Sequence, residues 1–427
     1  MDGVFEGKKG KKLKDQKGYT LHFGNIIRDG RVVDEVLVSL FRGPNSYTGQ
    51  DTIEISCHGS LFIQQEILST LYEAGAEPAK AGEFTLRAFL NGKIDLSQAE
   101  AVADLIASEN KASHELAMKQ LRGGYSEKIR QLRESLMNFA ALIELELDFS
   151  TEDVEFADRS QLQILVKHIV QVVEALLDSF AMGNAIKNGI PVTIVGKPNA
   201  GKSTLLNTLL KEDRAIVSDI AGTTRDTIED ELVIDGLAFR FIDTAGLRST
   251  SDTIENLGID RSYAKMREAD VVLYLFDART ATTDEVKSEL EAIQSAAGEE
   301  KLIIPIGNKV DELVPGDWSS RFQSLNDAIP LSAKTGIGIE ALQTRLVDFV
   351  NQGRVTETLV TNARHAQALR KASVSLNAVL HGLELRIPGD LLASDIRDAL
   401  NSLAEITGEV SSDEVLGVIF GKFCIGK

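Results

Sequence analysis

Cysteine is scarce, basic residues are in deficit and long apolar runs are absent. Each shortage closes off a class of protein. The two cysteines of this 427-residue chain, Cys57 and Cys424, lie far apart in sequence. No disulfide framework is indicated, and a reducing, cytoplasmic setting is expected. Lysine and arginine number 46 against 64 acids, for a net charge of −18. Such a chain is expected to be soluble and a poor indiscriminate binder of nucleic acid, so any RNA contact must come from local basic patches. No uninterrupted run of 18 apolar residues occurs, and the opening lacks a signal-peptide apolar region, so no membrane association is expected. What is present suffices for large cores: 43% hydrophobic residues over a length that suggests two to four domains.

Residues 1–20 carry six lysines between Lys8 and Lys17. They read either as a solvated loop or as a small patch for an anionic ligand or RNA. From Tyr19 the pattern is β: YTLHFGNII, a turn at RDGR, then VVDEVLVSLF with alternating apolar residues. A polar loop leads to a further strand, TIEISCHG. Residues 61–74 read as an amphipathic helix ended by Gly75. From Asp95 to about Asn184 the pattern is helical, with Ser97 as N-cap and Glu100 at the capping-box position. Further helices are expected over 126–147 and 160–182. A second helical block begins near Thr356, with Ala368, Ala372, Leu376 and Leu380 at helical spacing. Strands and helices alternate between these blocks, and no internal repeat or second phosphate loop is found.

The expected fold class is therefore multidomain: an α+β N-terminal domain (1–92), and an all-α helical domain in two parts (93–187 and 352–427). An α/β P-loop GTPase domain (188–351) is inserted between those parts.

The motif that organises this insertion is IPVTIVGKPNAGKST, a strand, a glycine-rich loop and a helix start. Gly196 and Gly201 let the backbone curl so that the N–H groups of Asn199, Ala200, Gly201 and their neighbours converge on phosphate oxygens. Lys202 would reach the β- and γ-phosphates. Ser203 would ligate Mg²⁺, and Thr204 opens the helix whose N-terminus favours the same anion. Downstream, DIAGTTRD carries Thr223 and Thr224 on a loop able to complete the Mg²⁺ shell and sense the γ-phosphate. The run FIDTAG then supplies Asp243, Thr244, Ala245 and Gly246: Asp243 to hold Mg²⁺ through water, Gly246 to donate to the γ-phosphate. Asn308, Lys309 and Asp311 form NKxD, in which the Asp311 carboxylate can accept from the guanine N1–H and amino group. Finally LSAKTG places Ser332, Ala333 and Lys334 near the base, with a backbone N–H for its oxygen. Four ordered motifs following the P-loop, in strand–loop context, specify GTP.

Many small GTPases place a water-orienting glutamine directly after DTAG. Leu247 stands there, so another residue must do that work. Glu255, close behind in DTIENLGIDR, reads either as that acid or as a solvated carboxylate at a helix start.

Taken together, GKPNAGKST, DIAGTTRD, DTAGLR with IENLGIDR, the insertion between helices and the terminal FCIGK resemble the MnmE (TrmE) family. These are GTPases of tRNA wobble-uridine modification. GPNSYTGQDTIEISCHG and AGEFTLRAFLNGKIDLSQAEA extend the resemblance along the whole chain. It implies a homodimer built through N-terminal domains, with G domains that pair when GTP is bound. It implies a K⁺ ion in the role of an arginine finger, at Asn199, Ser218, Ile220 and Thr223, with Thr224 joining Ser203 on Mg²⁺. Glu255 matches the water-positioning glutamate. The implied partner is an MnmG-type protein carrying FAD and using NADH. With it, the family installs a (carboxymethyl)aminomethyl group at C5 of the wobble uridine of tRNA. The carbon comes from a methylene- or formyl-tetrahydrofolate. Glu54, Lys93 and Lys427 match family positions near that folate. The family's glycine-rich opening segment is missing, so the start is expected to be truncated and the folate site incomplete. Cys424 reads from its residues as a buried small hydrophobe, since CIGK is a poor prenylation box. The family reading puts it near the one-carbon centre.

Two functions from different classes remain: a tRNA-modifying GTPase, or a regulatory GTPase acting as an RNA- or ribosome-associated timer. An appended basic module would favour the second, and the chain ends in acidic helices and FCIGK instead.

Overall fold

Alternating apolar residues and one Asp–Gly turn build the first sheet. Strands β2 (Thr20–Arg28) and β3 (Arg31–Phe41) pair antiparallel across Asp29 and Gly30, both at positive φ. That is the backbone a two-residue hairpin of matching twist requires. The short strand β1 (Phe5–Gly7) and β4 (Thr52–Ser56) complete the order β1-β2-β3-β4. Ile26, Val36 and Val38 point to one face, where Phe5, Leu13 and Ile67 of the helix Leu61–Glu73 cover them. Strand β1 was not expected: the lysines beside it obscure Phe5, which completes this core.

The computed structural model describes residues 1–10, 12–148, 158–213, 230–242, 265–298, 301–325, 327–353, 358–421, 423, 424 and 426. The chain forms two compact units. One comprises Met1–Ala107, Ala117–Val170 and Ala368–Lys427; the other comprises Ser108–Leu116 and Gln171–Gln367.

In the first unit the helix Leu96–Ala107 does not start at Ser97. Asp95 is the cap: its Oδ1 accepts from Gln98 N–H at 2.8 Å, and Gln98 Oε1 accepts from Asp95 N–H at 3.0 Å. This is a capping box shifted by two residues from the expected Ser97–Glu100 pair. Ser97 is instead buried, its hydroxyl and carbonyl oxygens each 3.2 Å from Gln120 Nε2. In the helix Gly124–Asp148, Ile129, Leu132, Leu136, Ala140 and Ile143 form one buried stripe. It packs against the helix Gly389–Thr407, whose Leu392, Ile396, Ala399 and Leu403 repeat the same spacing. Segments on either side of the insertion thus share one core, because neither apolar stripe can be covered by its own sequence neighbours.

The second unit is a mixed six-stranded sheet of order β10-β9-β8-β5-β7-β6. Its strands are β5 (Ile190–Val195), β6 (Asp230–Ile234), β7 (Leu237–Phe241), β8 (Val271–Asp277), β9 (Leu302–Asn308) and β10 (Ile329–Pro330). Only β6 runs antiparallel to its neighbour. Val271 to Phe276 are all buried, the unbroken apolar run of a parallel strand covered on both faces. This unit extends past the expected 188–351. Ala112 N–H donates to Gly236 O at 3.0 Å, and Val360 N–H donates to Ser179 Oγ at 3.1 Å. A Cβ on Gly183 would lie 2.2 Å from Val360 O. The exit from the insertion is therefore seated against the helix Arg159–Asn188 that precedes its entry.

Candidate nucleotide-binding site

The site forms at the carboxyl end of β5, between β7 and β8, where the order of a doubly wound sheet reverses. The chain turns there through Gly196 at φ 144°, and a Cβ on Gly196 would lie 2.0 Å from Leu275 O. Only glycine fits. Asn199 and Gly201 also hold positive φ, at 61° and 102°. The helix Lys202–Asp213 then begins. Ser203 and Thr204 stand exposed at its N-terminus, while Leu205 and Leu206 turn into the core. The unpaired N–H groups of that first turn and the helix dipole favour an anion at the loop. Lys202 Nζ donates to Gly196 O at 2.6 Å and to Lys197 O at 3.0 Å. Burial holds its ammonium below the ordinary lysine pKa.

Three segments distant in sequence are tied together at this loop. Asn308, 2% exposed at the end of β9, donates through Nδ2 to Ala200 O at 2.7 Å. Its Oδ1 accepts from Ala333 N–H at 2.9 Å, and Thr208 Oγ1 donates to Ala333 O at 2.6 Å. Of the segment expected to lie near the base, the Ala333 N–H is engaged by this asparagine. Lys309 takes the left-handed conformation and donates from Nζ to Asn199 O at 2.8 Å and to Asp277 Oδ2 at 2.7 Å. Asp311 stands exposed in the next turn, Val310–Glu312. Ser332 is buried, its hydroxyl accepting from Thr335 N–H at 3.2 Å, and Lys334 is exposed.

Sequence reasoning missed the support beneath this arrangement. Asp277 also accepts from Arg279 Nε at 3.0 Å and Nη2 at 2.7 Å. The hydrogen bonds from Arg279, then from Lys309, hold its carboxyl well below the usual range despite partial burial. Arg279 reaches on to Glu312 at 2.5 Å. Lys197 pairs with Glu289 at 2.8 Å, and the other oxygen of Glu289 accepts from the Tyr274 hydroxyl at 2.6 Å. A cavity of about 400 Å³ lies between these groups and the first half of the loop. The available signal was an acid ending the buried run VVLYLFD, since charged residues at the carboxyl ends of such strands face the site.

Asn199, Ala200, Gly201, Lys202, Ser203 and Thr204 are thus brought beside Asn308, Lys309 and Ala333. Ser218, Ile220, Thr223, Thr224, Asp243, Thr244, Ala245, Gly246, Glu255 and Lys427 lie outside the described residues. Of the remaining folate candidates, Glu54 is exposed on the edge strand β4. Lys93 Nζ donates to Pro44 O at 3.1 Å. No hydrogen bond or ion pair joins these two, and neither lines the cavity of about 1030 Å³ between Glu83–Leu90 and Asp413–Phe420. Cys424 corrects its expected burial: it is exposed, and its carbonyl accepts from Gly82 N–H at 3.3 Å. The burial goes instead to Phe420 and Phe423, which pack with Leu96 and Ala99.

Comparison with known proteins gives the family. The model described as "MnmE helical domain" matches residues 96–424, and that described as "GTP-binding protein TrmE N-terminus" matches residues 3–93. The tRNA modification GTPase MnmE of Flavobacterium johnsoniae is 57% identical over 435 residues, covering 100% of this chain and 93% of the relative. The chain belongs to the MnmE family of tRNA modification GTPases. Relatives of the same description from Flavobacterium psychrophilum and Bacteroides thetaiotaomicron are 55% and 52% identical, over 99% and 98% of this chain and 92% of each relative. The two matched regions cover both sheets of the chain, the six-stranded one lying within the span 96–424.

Proposed function

We propose that this chain is a K⁺-dependent GTPase that works with an MnmG-type flavin protein on tRNA. The pair installs a (carboxymethyl)aminomethyl group at C5 of the wobble uridine, with a methylene-tetrahydrofolate as carbon donor. One observation carries the nucleotide part: the P-loop is tied through Asn308 and Lys309 to the segments that read guanine. Family membership along the whole chain supports the rest.

The residues fit the nucleotide and its metal. Lys202 bonds carbonyls of its own loop, and phosphate oxygens, being more negative, would draw its ammonium from them. Ser203 sits exposed at a helix N-terminus, where a hydroxyl can join Thr224 on Mg²⁺. When bound, Mg²⁺ would supply positive charge to the reacting phosphates of GTP. Lys202 stabilises the developing charge, Asp311 selects guanine, and Glu255 orients the attacking water. Asn199, with Ser218, Ile220 and Thr223, would supply the neutral oxygens that suit a large monovalent cation. Glu54, Lys93 and Lys427 belong to the folate part of the reading, which also assigns the exposed Cys424 a place near the one-carbon centre.

The reading includes a cytoplasmic homodimer joined through its N-terminal domains. It assigns residues 1–92 to folate binding and dimerisation, 93–187 and 352–427 to the helical domain, and 188–351 to the G domain. The test is reconstitution with the flavin partner, methylene-tetrahydrofolate, NADH, GTP and unmodified tRNA, followed by mass spectrometry of the wobble nucleoside. The expected product is the modified base in KCl and little in NaCl. A folded, GTP-hydrolysing protein that leaves the base unmodified would favour the regulatory timer.

A further inference from the structure

The lysine-rich opening, unused by the nucleotide chemistry, is built into the fold. Residues 1–18 hold six lysines and three acids in a chain of net charge −18. Asp2 turns its carboxylate inward, accepting from Leu13 N–H at 2.6 Å and Lys14 N–H at 3.2 Å. Arg42 Nη2 donates to the carbonyls of Leu13 at 2.9 Å and Lys14 at 3.1 Å. Leu13 itself is buried in the core of the sheet. These contacts pin the turn Leu13–Asp15 from both sides. Lys8, Lys12, Lys14 and Lys17 remain exposed, and among the described residues none of the four pairs with a carboxylate. Lys8 Nζ lies 4.3 Å from the centroid of the Phe23 ring. Phe23 is 41% exposed and Tyr19 is 70% exposed.

With the turn Leu13–Asp15 anchored, the lysines on and beside it stay close together in the fold, and their mutual repulsion is relieved by an approaching polyanion. In a strongly acidic protein, attraction of a nucleic acid has to be local. The two exposed rings add what single-stranded RNA uses, a flat apolar surface for an unstacked base. A membrane surface matches less well, because Leu13, the apolar residue of the pinned turn, is buried in the sheet core and cannot insert. We propose that Lys8, Lys12, Lys14 and Lys17, with Tyr19 and Phe23, form a contact surface for tRNA. The lysines meet the phosphate backbone and the rings receive an unpaired base. This rests on the tRNA-modification reading above.

The test measures binding of an unmodified tRNA transcript to the full-length protein by fluorescence anisotropy, at several salt concentrations. Lys8→Gln, Lys12→Gln, Lys14→Gln and Lys17→Gln are combined in one variant. A control variant carries Lys119→Gln, Lys128→Gln, Lys287→Gln and Lys371→Gln, removing the same charge. The first variant should bind at least about tenfold more weakly, with a salt slope smaller by about three. The control should change much less. Tyr19→Ser with Phe23→Ser should weaken binding while leaving the slope unchanged. GTPase activity without tRNA should stay within about twofold in all variants, showing that each is folded. Wild-type affinity and slope in the first variant would overturn the proposal. So would unchanged tRNA binding accompanied by weaker capture of the flavin partner or of anionic vesicles, which would assign the surface to them. If the wild-type protein itself does not bind tRNA, the tRNA reading fails with it.

Discussion

Asn308 holds Ala200 by a 2.7 Å hydrogen bond across 108 residues of chain. With its other amide atom on Ala333, the side chain makes the phosphate loop and the base loop one structure. A Cβ on Gly201 would lie 2.2 Å from the same Nδ2. Asn308→Ala leaves a buried carbonyl and a buried N–H unpaired, at about 1–3 kcal/mol each. The expected outcome is a ten- to hundredfold loss of GTP affinity in titrations with a fluorescent nucleotide. Gly201→Ala should cost a similar amount, and the double variant less than the product of the two losses. Full additivity would mean that the two positions act independently.

Asp277 gives the second unit a pH dependence of known sign. Its folded-state carboxyl lies below the ordinary 3.8, through Arg279 first and Lys309 after it. The stabilisation is therefore complete above about pH 4 and is lost as the pH falls toward the folded-state value. Asp277→Asn should lower the urea midpoint at pH 7, and the difference from wild type should shrink below pH 4. Fluorescence of Trp318, the single tryptophan, which stacks on Phe276 at 6.4 Å, reports the transition. A difference that stays constant with pH would remove Asp277 from this role.

Asp311→Asn should shift preference from GTP toward xanthosine triphosphate. The amide can donate to the 2-oxo group of xanthine and no longer accepts from two guanine donors. Relative affinities for the two nucleotides decide the matter, and unchanged GTP binding would exclude Asp311 from the base site.

Glu255→Ala should leave GTP affinity nearly unchanged and slow single-turnover hydrolysis by two decades or more. Each tenfold corresponds to about 1.4 kcal/mol of barrier, within the range of losing a water-positioning group. The prediction comes from Leu247 standing where glutamine is common and from the IENLGIDR segment. Wild-type turnover would reassign the catalytic acid.

The dependence on K⁺ has a rival in Arg225 and Arg248, which flank the switch motifs. Hydrolysis should be fast in KCl, slow in NaCl at equal ionic strength, and dependent on protein concentration for an excised G domain. Equal rates in both salts, with turnover abolished by Arg225→Ala or Arg248→Ala, would replace the cation with an arginine.

Local chemistry made part of this protein legible from its sequence. Asp29–Gly30 can form the tight hairpin, Gly196 admits the loop's approach to Leu275, and VVLYLF can only be a buried strand. Each of these depends on a few adjacent residues and on backbone sterics, which a sequence states directly. The GTPase family was legible for the same reason, because its sequence motifs are short and local. Tertiary structure decided what depends on partners far along the chain. Ser97 and Asp95 are equally good caps by residue type, and the choice fell to Asp95 because Gln120 holds Ser97 in the interior. Asp277 became a support for Lys309, and the lysine-rich opening became a fixed face, only once Arg279, Asp2 and Arg42 were folded against them. Those contacts join residues that share no local pattern, and their free energy exists only when the intervening chain has already paid its folding entropy.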